Sequence, residues 1–385
     1  MAYKINKVVS CYFIASILLF LFSYTQVDLG LTLSKSSIVQ HIQQQFQHVG
    51  FYQRPLSTTI YLSILFVFFL LYFLVLKQIK NNTLVKRDIW MVVAVLCVVL
   101  LFSYSAAFSY DIYNYIFTAK TVLIYGQNPY TLKPLQLEGI DSMLSFMRWT
   151  HLPSAYTPLW IALTLPAYLL SFGSLLLGIW TMKLIPILSY VITIWSISQV
   201  MNYYKKSLVL LSVGAFALNP LVIIEVLVSG HNDILMMALS MIAFLLALQK
   251  KRVSSFFLLS LSIATKFITI FLWPLWFIGW SRVKAIILVT IGLVIVLLRR
   301  EFLQWYFLWI LPFGVLFPEN IILMNLLAGI SMGLLLRYTP IFYYGSYDPP
   351  VPSLQNLLFF IPILASIIYS VAILYRKKPH RWFLP

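Results

Sequence analysis

Charged residues are scarce in this sequence, and acidic residues are the scarcest of them. The 385 residues include 10 Asp and Glu against 27 Lys and Arg; charged residues make up 10% of the chain and hydrophobic residues 61%. A water-soluble domain cannot carry this composition without aggregating. The sequence therefore excludes a soluble globular protein and predicts that lipid surrounds most of the chain.

Cysteine is almost as scarce, with Cys11 and Cys97 each inside an apolar run. This placement favours two buried free thiols over a disulfide or a metal pair. The sequence indicates no cofactor and no metal site, and it leaves metal dependence open.

Apolar runs of membrane-spanning length recur from end to end, for example at residues 8–26, 59–76, 89–107 and 354–375. A span needs about 20 apolar residues, and by that criterion we expect roughly 12 to 14 spans. Backbone groups in lipid must be satisfied within the segment, so the spans are predicted to be helices. The expected fold class is all-α: residues 1–385 form one polytopic transmembrane helical bundle whose first helix remains uncleaved.

The basic residues cluster beside the ends of apolar runs. Four clusters show this pattern: Lys77, Lys80, Lys86 and Arg87; Lys250, Lys251 and Arg252; Arg282 and Lys284; and Arg376, Lys377, Lys378 and Arg381. The positive-inside rule places such loops in the cytoplasm, so the net charge of +17 does not indicate nucleic acid as a partner. Counting spans from these loops places five segments on the opposite face: residues 27–52, 108–155, 229–233, 299–301 and 339–353.

Two regions do not fit a simple alternation of spans. Lys205 and Lys206 resemble a cytoplasmic loop, yet residues 156–204 hold two apolar segments that start from the outer side. Either residues 157–172 are shallow or re-entrant, or the Lys205 loop is an exception to the rule. Residues 253–280, interrupted at Lys266, predict two short helices in a hairpin.

The longest outer segment, residues 108–155, has a helical pattern near its start. Apolar and aromatic residues recur at helical spacing over residues 113–125, as in a helix lying along the membrane interface. Gly126 and Pro129 end that helix. A second, weakly helical stretch covers residues 138–149, before the chain returns to lipid at Tyr156. We interpret residues 108–155 as one outer loop.

Asp111 lies where the third span meets this loop, fixed by a helix end and open to water on one side. A general base needs both properties, because it must lie about 2.6–3.2 Å from the proton that it removes. The alternative is that Asp111 only caps the following helix, since aspartate is a favoured N-cap residue.

A second polar group, His231, Asn232 and Asp233, follows a span that opens with Asn219 and Pro220. These residues are predicted to face the same side as Asp111, either as a functional group or as a polar turn with Asp233 as N-cap. Glu225 lies about one helical turn deeper, where an ionisable residue is a functional candidate. Its alternative role is to pair with Lys183 or Lys266.

These segments together resemble the GT-C membrane glycosyltransferases that use polyprenyl-phosphate sugars, especially bacterial alpha-mannosyltransferases and the catalytic subunit of GPI mannosyltransferase I. The matching residues in the first outer loop are Asp111, Gly126, Asn128, Pro129, Tyr130, Tyr156, Pro158 and Leu159. The resemblance continues through the Gly-His-Asn-Asp turn, and more loosely through residues 264–276 and 299–313. It departs where the GPI enzymes have Asp-x-Asp, because this chain has Ser109, Tyr110 and Asp111.

The resemblance implies an inverting hexosyltransferase, with mannose as the expected sugar, whose partners are a polyprenyl-phosphate donor, a glycan or lipid acceptor and membrane lipid. Residues 108–155 would be the outer catalytic loop, and Asp111 would deprotonate the acceptor hydroxyl. His231, Asn232, Asp233 and Tyr156 would bind substrate. Arg299 or Arg300 would bind the leaving phosphate, because guanidinium binds phosphate oxygens bidentately, with Arg337 and Lys266 in reserve.

The segment at residues 339–353 is predicted to be an outer C-terminal loop that covers the site or shapes the acceptor groove. The implied location is a multi-pass protein of the plasma membrane with an extracytoplasmic active site. A lipid or solute transporter is the alternative function, since intramembrane charges also mark transport pathways. The concentration of polar motifs on one face favours catalysis.

Overall fold

Helices make up all of the regular secondary structure that the computed structural model describes, which covers residues 7–377. No strand occurs within that range. The α-helices are α1 Lys7–Thr25, α2 Ser37–Gln47, α3 Arg54–Lys80, α4 Lys86–Leu101, α5 Asp111–Leu123, α6 Pro158–Leu169, α7 Leu175–Tyr204, α8 Val209–Ala217, α9 Pro220–Val222, α10 Asp233–Leu248, α11 Arg252–Thr265, α12 Leu275–Ile278, α13 Arg282–Leu297, α14 Leu311–Gly314, α15 Ile321–Leu336, α16 Tyr338–Tyr344 and α17 Val351–Lys377. The all-α prediction is confirmed.

Short helical segments of other types connect these helices. The π-helical segments are His48–Tyr52 and Ile223–Val228. The 3-10 segments are Ser105–Ala107, Pro134–Leu137, Ser142–Phe146, Lys206–Leu208, Phe267–Leu272 and Gln304–Trp309. Of the predicted cytoplasmic residues, Lys378 and Arg381 lie outside the described residues.

Five segments between residues 7 and 377 are long and apolar enough to cross a membrane: α1, α3, α7, the pair α15 and α16, and α17. A sixth is counted if the two helical pieces bent by 48° around Asn219 are taken as one span. The expected 12 to 14 spans are not confirmed. Several apolar stretches do not reach spanning length as single helices because they are divided into shorter ones; α4, for example, ends at Leu101 although the apolar run continues to Ala107.

The two irregular regions of the sequence have clear explanations. Helix α6 has 12 residues, or about 18 Å, whereas the hydrocarbon core is about 30 Å thick. This length favours a shallow segment at residues 157–172, followed by the 30-residue helix α7. The predicted hairpin is confirmed as well, because α11 ends at Thr265 and a new helical segment begins at Phe267.

The outer loop at residues 108–155 contains less helix than expected, and the outer loop at residues 339–353 contains more. The helix predicted for residues 113–125 is confirmed as α5, and Gly126 stops it in the left-handed region at φ +60°. The weak helix predicted for residues 138–149 reduces to the 3-10 segment Ser142–Phe146. Residues 339–353 are not loop throughout, because Tyr338 and Phe342 are buried and hold the first part in α16.

The most deeply buried part of the bundle runs from α8 to α10. Helix α10 packs against α7 and α11, whereas α17 packs on α15 and leaves most of its apolar surface exposed. Such exposed apolar faces fit a lipid environment. Both cysteines are free, as expected, but Cys11 is exposed on the outer face of α1 instead of buried. Buried α10 begins where the polar turn at residues 229–233 ends.

Candidate functional site

Asp111 is the first residue of α5, and its carboxylate does not cap that helix. Tyr110 occupies the N-cap position and makes no side-chain capping bond. The Asp111 backbone N–H donates to Ser109 Oγ over 3.3 Å, so the segment before the helix supplies its own partner. The Asp111 side chain is 17% exposed and is therefore both fixed by the helix and open to a reactant. The capping alternative does not describe this residue.

His231 lies between two carboxylates. Its Nδ1 is 3.4 Å from Asp111 Oδ2, and its Nε2 is 3.2 Å from Glu225 Oε2; both are ion-pair contacts without hydrogen-bond alignment. The imidazole is fully buried and stacks on the Trp305 indole with ring centroids 4.1 Å apart. Burial alone would lower the pKa of His231, but the Asp111 and Glu225 carboxylates outweigh it and raise this pKa to about 9. The two carboxylates therefore favour the protonated form of His231.

Glu225 anchors the buried end of this chain of groups. It lies in the π-helical segment Ile223–Val228, a geometry that is frequent at functional sites. The Tyr338 hydroxyl donates a hydrogen bond to Glu225 Oε1 over 2.9 Å. Neither lysine proposed as a partner pairs with Glu225, so that alternative is wrong. The partner is His231 instead. Four titratable side chains are therefore in contact one after another: Asp111, His231, Glu225 and Tyr338.

Lys183 has a different role from the one expected. It is fully buried, and its amino group donates to the Ser103 hydroxyl (2.7 Å), to the Ser103 carbonyl (3.1 Å) and to the Leu100 carbonyl. These acceptors lie at or just after the C-terminal end of α4, where backbone carbonyl groups have no partner within the helix. Gly230, at φ +79°, lies against the same lysine, because a Cβ there would be 3.3 Å from Lys183 Cγ. Lys183 thus fixes both segments that lead to the site.

Asp233 and Lys266 form a second ion pair beside the first group. The Lys266 ammonium lies 2.7 and 2.9 Å from the two Asp233 oxygens, and the Trp309 indole N–H also donates to this carboxylate. Asp233 is the first residue of α10 and not its N-cap, as the alternative predicted. Asn232 occupies the N-cap position, and its side chain makes no capping hydrogen bond. Lys266 is therefore already paired with a carboxylate.

Tyr156 and Asn232 join the same group through Tyr115. The Asn232 backbone N–H donates to the Tyr115 hydroxyl over 3.4 Å, and the Tyr115 and Tyr156 rings pack edge to face at 4.8 Å. Loss of solvent, followed by the nearby Asp111 charge, raises the pKa of Tyr156 well above its ordinary value. The structure thus brings together Asp111, Tyr156, His231, Asn232, Asp233 and Lys266.

A cavity of about 740 Å³ adjoins this group of residues through their neighbours, although none of the six lines it. Ser109 and Tyr110, which precede Asp111, line it, as do Trp305, which stacks on His231, and Tyr338, which bonds to Glu225. Three arginines also line the cavity: Arg54, Arg148 and Arg337. Within residues 7–377, none of the three has a carboxylate within ion-pair distance. Unpaired guanidinium groups facing one cavity favour an anionic ligand.

Of the three arginines expected to bind phosphate, only one lines the cavity. Arg337 faces the cavity and donates to the Phe302 carbonyl, while its Nε is buried and has no hydrogen-bond partner among the described residues. Arg299 and Arg300 are exposed in the turn after α13 and do not line this cavity. Sequence reasoning missed Arg54 and Arg148. For Arg148 the available signal was a basic residue in the predicted outer segment 108–155, where the positive-inside rule expects few. Arg54 lies two residues beyond the predicted outer segment 27–52 and had no such signal.

Besides Glu301, the cavity is lined by one other carboxylate, which the sequence did not single out, Asp28. It accepts hydrogen bonds from the hydroxyls of Tyr104 (3.1 Å) and Tyr110 (2.9 Å). The Arg148 guanidinium stacks 4.6 Å above the Tyr110 ring. Asp28 therefore fixes Tyr110, the residue directly before Asp111. Within residues 7–377, no group of three or more His, Cys, Asp or Glu residues is arranged to hold a metal ion.

Comparison with known proteins adds an independent finding. The family described as alpha-(1->6)-mannopyranosyltransferase, N-terminal domain, matches residues 13–284, more than half of the chain. A curated protein from Corynebacterium glutamicum, alpha-(1->6)-mannopyranosyltransferase A, is 26% identical over 200 residues. That match covers 49% of this chain and 39% of the relative. No solved structure matches the chain. The matched range contains Asp111, His231, Asp233 and Lys266.

Proposed function

This chain belongs to the alpha-(1->6)-mannopyranosyltransferase family, and we propose that it is an inverting mannosyltransferase which uses a polyprenyl-phosphate sugar as donor. It is a membrane protein with several apolar helices of spanning length. We place its transfer site on the extracytoplasmic face of a multi-pass bundle, in the plasma membrane. We also propose that the bundle has a GT-C architecture with more than six spans. The proposed acceptor is a glycan or a lipid.

The observation that carries the proposal is a partly exposed carboxylate, Asp111, beside a cavity with three unpaired arginines. Glycosyl transfer from a phosphate requires both groups in one place. A base must take the proton of the attacking hydroxyl, and cations must stabilise the negative charge on the departing phosphate. The ion pair of Asp111 with His231 fixes the orientation of the carboxylate.

The proposed step is a single displacement. The acceptor hydroxyl oxygen attacks the anomeric carbon of mannose as its proton passes to Asp111. The bond between that carbon and the phosphate oxygen breaks, and both electrons leave with the polyprenyl phosphate. Attack from the face opposite the leaving group inverts the anomeric centre.

Arg337 is the proposed phosphate ligand, together with Arg54 and Arg148, in place of the exposed Arg299 and Arg300. Guanidinium keeps its charge and stabilises the leaving group without transferring a proton. No cofactor or metal is needed in this scheme. Asp233, Asn232 and Tyr156 would orient sugar hydroxyls, and Lys266 would hold Asp233 in place through its ion pair.

Embedding in the membrane also supports a lipid-borne donor. A polyprenyl chain stays in the bilayer, so its phosphate reaches an enzyme only at the membrane interface. Nucleotide sugars are absent outside the cytoplasm, so a transfer site there needs a lipid-linked sugar. The intramembrane charges that favoured a transporter are held in fixed pairs or caps, as Glu225 and Lys183 show.

The test is donor discrimination by the purified chain in nanodiscs. Radiolabelled polyprenyl-phosphate mannose, polyprenyl-phosphate glucose and GDP-mannose are each supplied with a lipid extract as acceptor source. We expect label to move from polyprenyl-phosphate mannose and not from GDP-mannose. Transfer from GDP-mannose alone would contradict the donor assignment, and equal use of the glucose donor would contradict the sugar assignment.

A further inference from the structure

An apolar groove of about 620 Å³ lies far from the candidate site, between α3, α15 and α17. Its walls are mainly hydrocarbon, with Tyr72, Met324, Met332 and Ala365 among the lining residues. Ala365 is exposed, so the groove opens to the outside of the bundle, where lipid is expected. The groove therefore has the shape and chemistry to accept a hydrocarbon chain from the bilayer.

Two lysines lie at one end of this groove. Lys77 and Lys80, in the last turn of α3, line it and are exposed. Its lining includes no acidic residue, and neither lysine has an ion pair with a carboxylate within residues 7–377. A hydrocarbon groove with two unpaired cations at one end is complementary to a molecule with an apolar tail and an anionic head.

The position of the groove decides which anionic lipid fits. Helix α3 begins at Arg54, which lines the arginine-rich cavity, and 27 residues place its other end about 40 Å away. A sugar on a lipid phosphate bound at Lys77 and Lys80 would therefore be too far from Asp111 to react. A structural lipid of the opposite leaflet does not have this constraint, and anionic phospholipids are attracted to basic residues there by about 1 kcal/mol for each residue.

We propose that this groove binds one anionic glycerophospholipid, with an acyl chain between α3, α15 and α17 and its phosphate between Lys77 and Lys80. The site is independent of the mannosyltransferase activity. Asn81 and Asn325 also line the groove and add polar groups to its otherwise mainly apolar walls.

Native mass spectrometry of the purified chain, titrated with phosphatidylglycerol and with phosphatidylcholine, tests this proposal. We expect one phosphatidylglycerol to bind more tightly than phosphatidylcholine, and the double variant Lys77→Gln/Lys80→Gln to weaken that binding about 10- to 30-fold. The variant Ala365→Trp, which fills the groove without changing charge, is expected to remove the bound lipid.

The matched control is Lys250→Gln/Lys251→Gln, which removes two exposed lysines that do not line the groove. It is expected to leave the bound lipid in place. Equal losses in both double variants would overturn the proposal, as would equal binding of phosphatidylcholine. Preferential binding of polyprenyl phosphate, or displacement by inorganic phosphate alone, would overturn the choice of occupant.

Discussion

The two ends of α3 differ in what surrounds their cations. At the first end, Arg54 faces a cavity that also holds Asp28, Arg148 and Arg337 and adjoins His231 through Trp305. At the other end, Lys77 and Lys80 are exposed at the end of an apolar groove. Basic residues occur at both ends, so charge alone does not distinguish a reaction site from a lipid contact. The two ends are distinguished by the buried acids with ion-pair partners, Glu225 and Asp233, which occur at the Arg54 end.

This difference follows from the cost of burying charge. An ionised group away from water is stable only when it is paired and hydrogen-bonded. Glu225, His231 and Asp233 are fully buried, and each has an oppositely charged or hydrogen-bonded neighbour. The lysines of the groove end are exposed and need none. We therefore expect substitutions at the first end to change catalysis and those at the other end to leave it unchanged.

The largest expected effect is the loss of the base. Asp111→Asn keeps the shape of the side chain and removes its capacity to accept a proton, so kcat should fall by about 10²- to 10⁴-fold. Mannosyl transfer in nanodiscs measures this change. Glu138→Gln, an exposed acid of the same loop, is the control and should retain activity. Unchanged transfer by Asp111→Asn would remove the proposed role.

A smaller effect is expected from the cavity arginines. Arg337→Gln should lower kcat/KM for the polyprenyl-phosphate donor by about 10²-fold, because one charge-assisted contact to the leaving phosphate is lost. Lys77→Gln/Lys80→Gln, at the other end of α3, should change kcat/KM by less than about twofold, because exposed charges far from a site are screened. Equal losses at both ends would contradict the distinction between them.

The stability of the protein should depend on pH through His231, which lies at the Arg54 end of α3. The pKa of His231 is about 9 in the folded protein and about 6.5 when unfolded, so its protonation stabilises the fold fully below pH 6.5 and is lost as pH rises through 9. The contribution is on the order of 3 kcal/mol. Thermal unfolding between pH 6 and 10 should show a falling Tm that flattens in His231→Gln. The same slope in both proteins would contradict the assignment.

The smallest effect concerns the loop at residues 108–155. Asp141 accepts from the Lys120 ammonium (2.7 Å), the Tyr125 hydroxyl (3.0 Å) and the Met143 backbone N–H (3.1 Å). The lysine lowers the pKa of Asp141 through these contacts, against the effect of burial, which is the largest single influence. Asp141→Asn should cost about 1 kcal/mol and increase hydrogen exchange over residues 134–150. Exchange identical to wild type would show that Asp141 does not hold the loop.

Local patterns in the sequence predicted much of this end of the molecule. Helical spacing after Asp111 predicted α5, and Lys266 was identified as a break between helices. Asp111 and His231 were expected on one face, and the structure brings them into contact. These features depend on periodicity, turn residues and the alternation of sides, all of which are visible along the chain.

The remaining features depend on tertiary contacts and were not predictable in the same way. Arg54 and Arg148 come from separate segments and meet only around the folded cavity. The pairing of Lys266 with Asp233 and the bonds of Lys183 to the end of α4 require a three-dimensional arrangement. The predicted 12 to 14 spans are not confirmed, and hydropathy does not register a break such as the one at Asn219.

The central claim is that the Asp111 end of the bundle faces away from the cytoplasm, where sugars arrive on lipid. Cysteine labelling of the two residues that flank α3, in a Cys11→Ser/Cys97→Ser background, measures this directly. With a membrane-impermeant maleimide on intact cells, Gln53→Cys should react, and Thr83→Cys should react only after the membrane is opened. Labelling of Thr83→Cys in intact cells, with Gln53→Cys protected, would contradict the account.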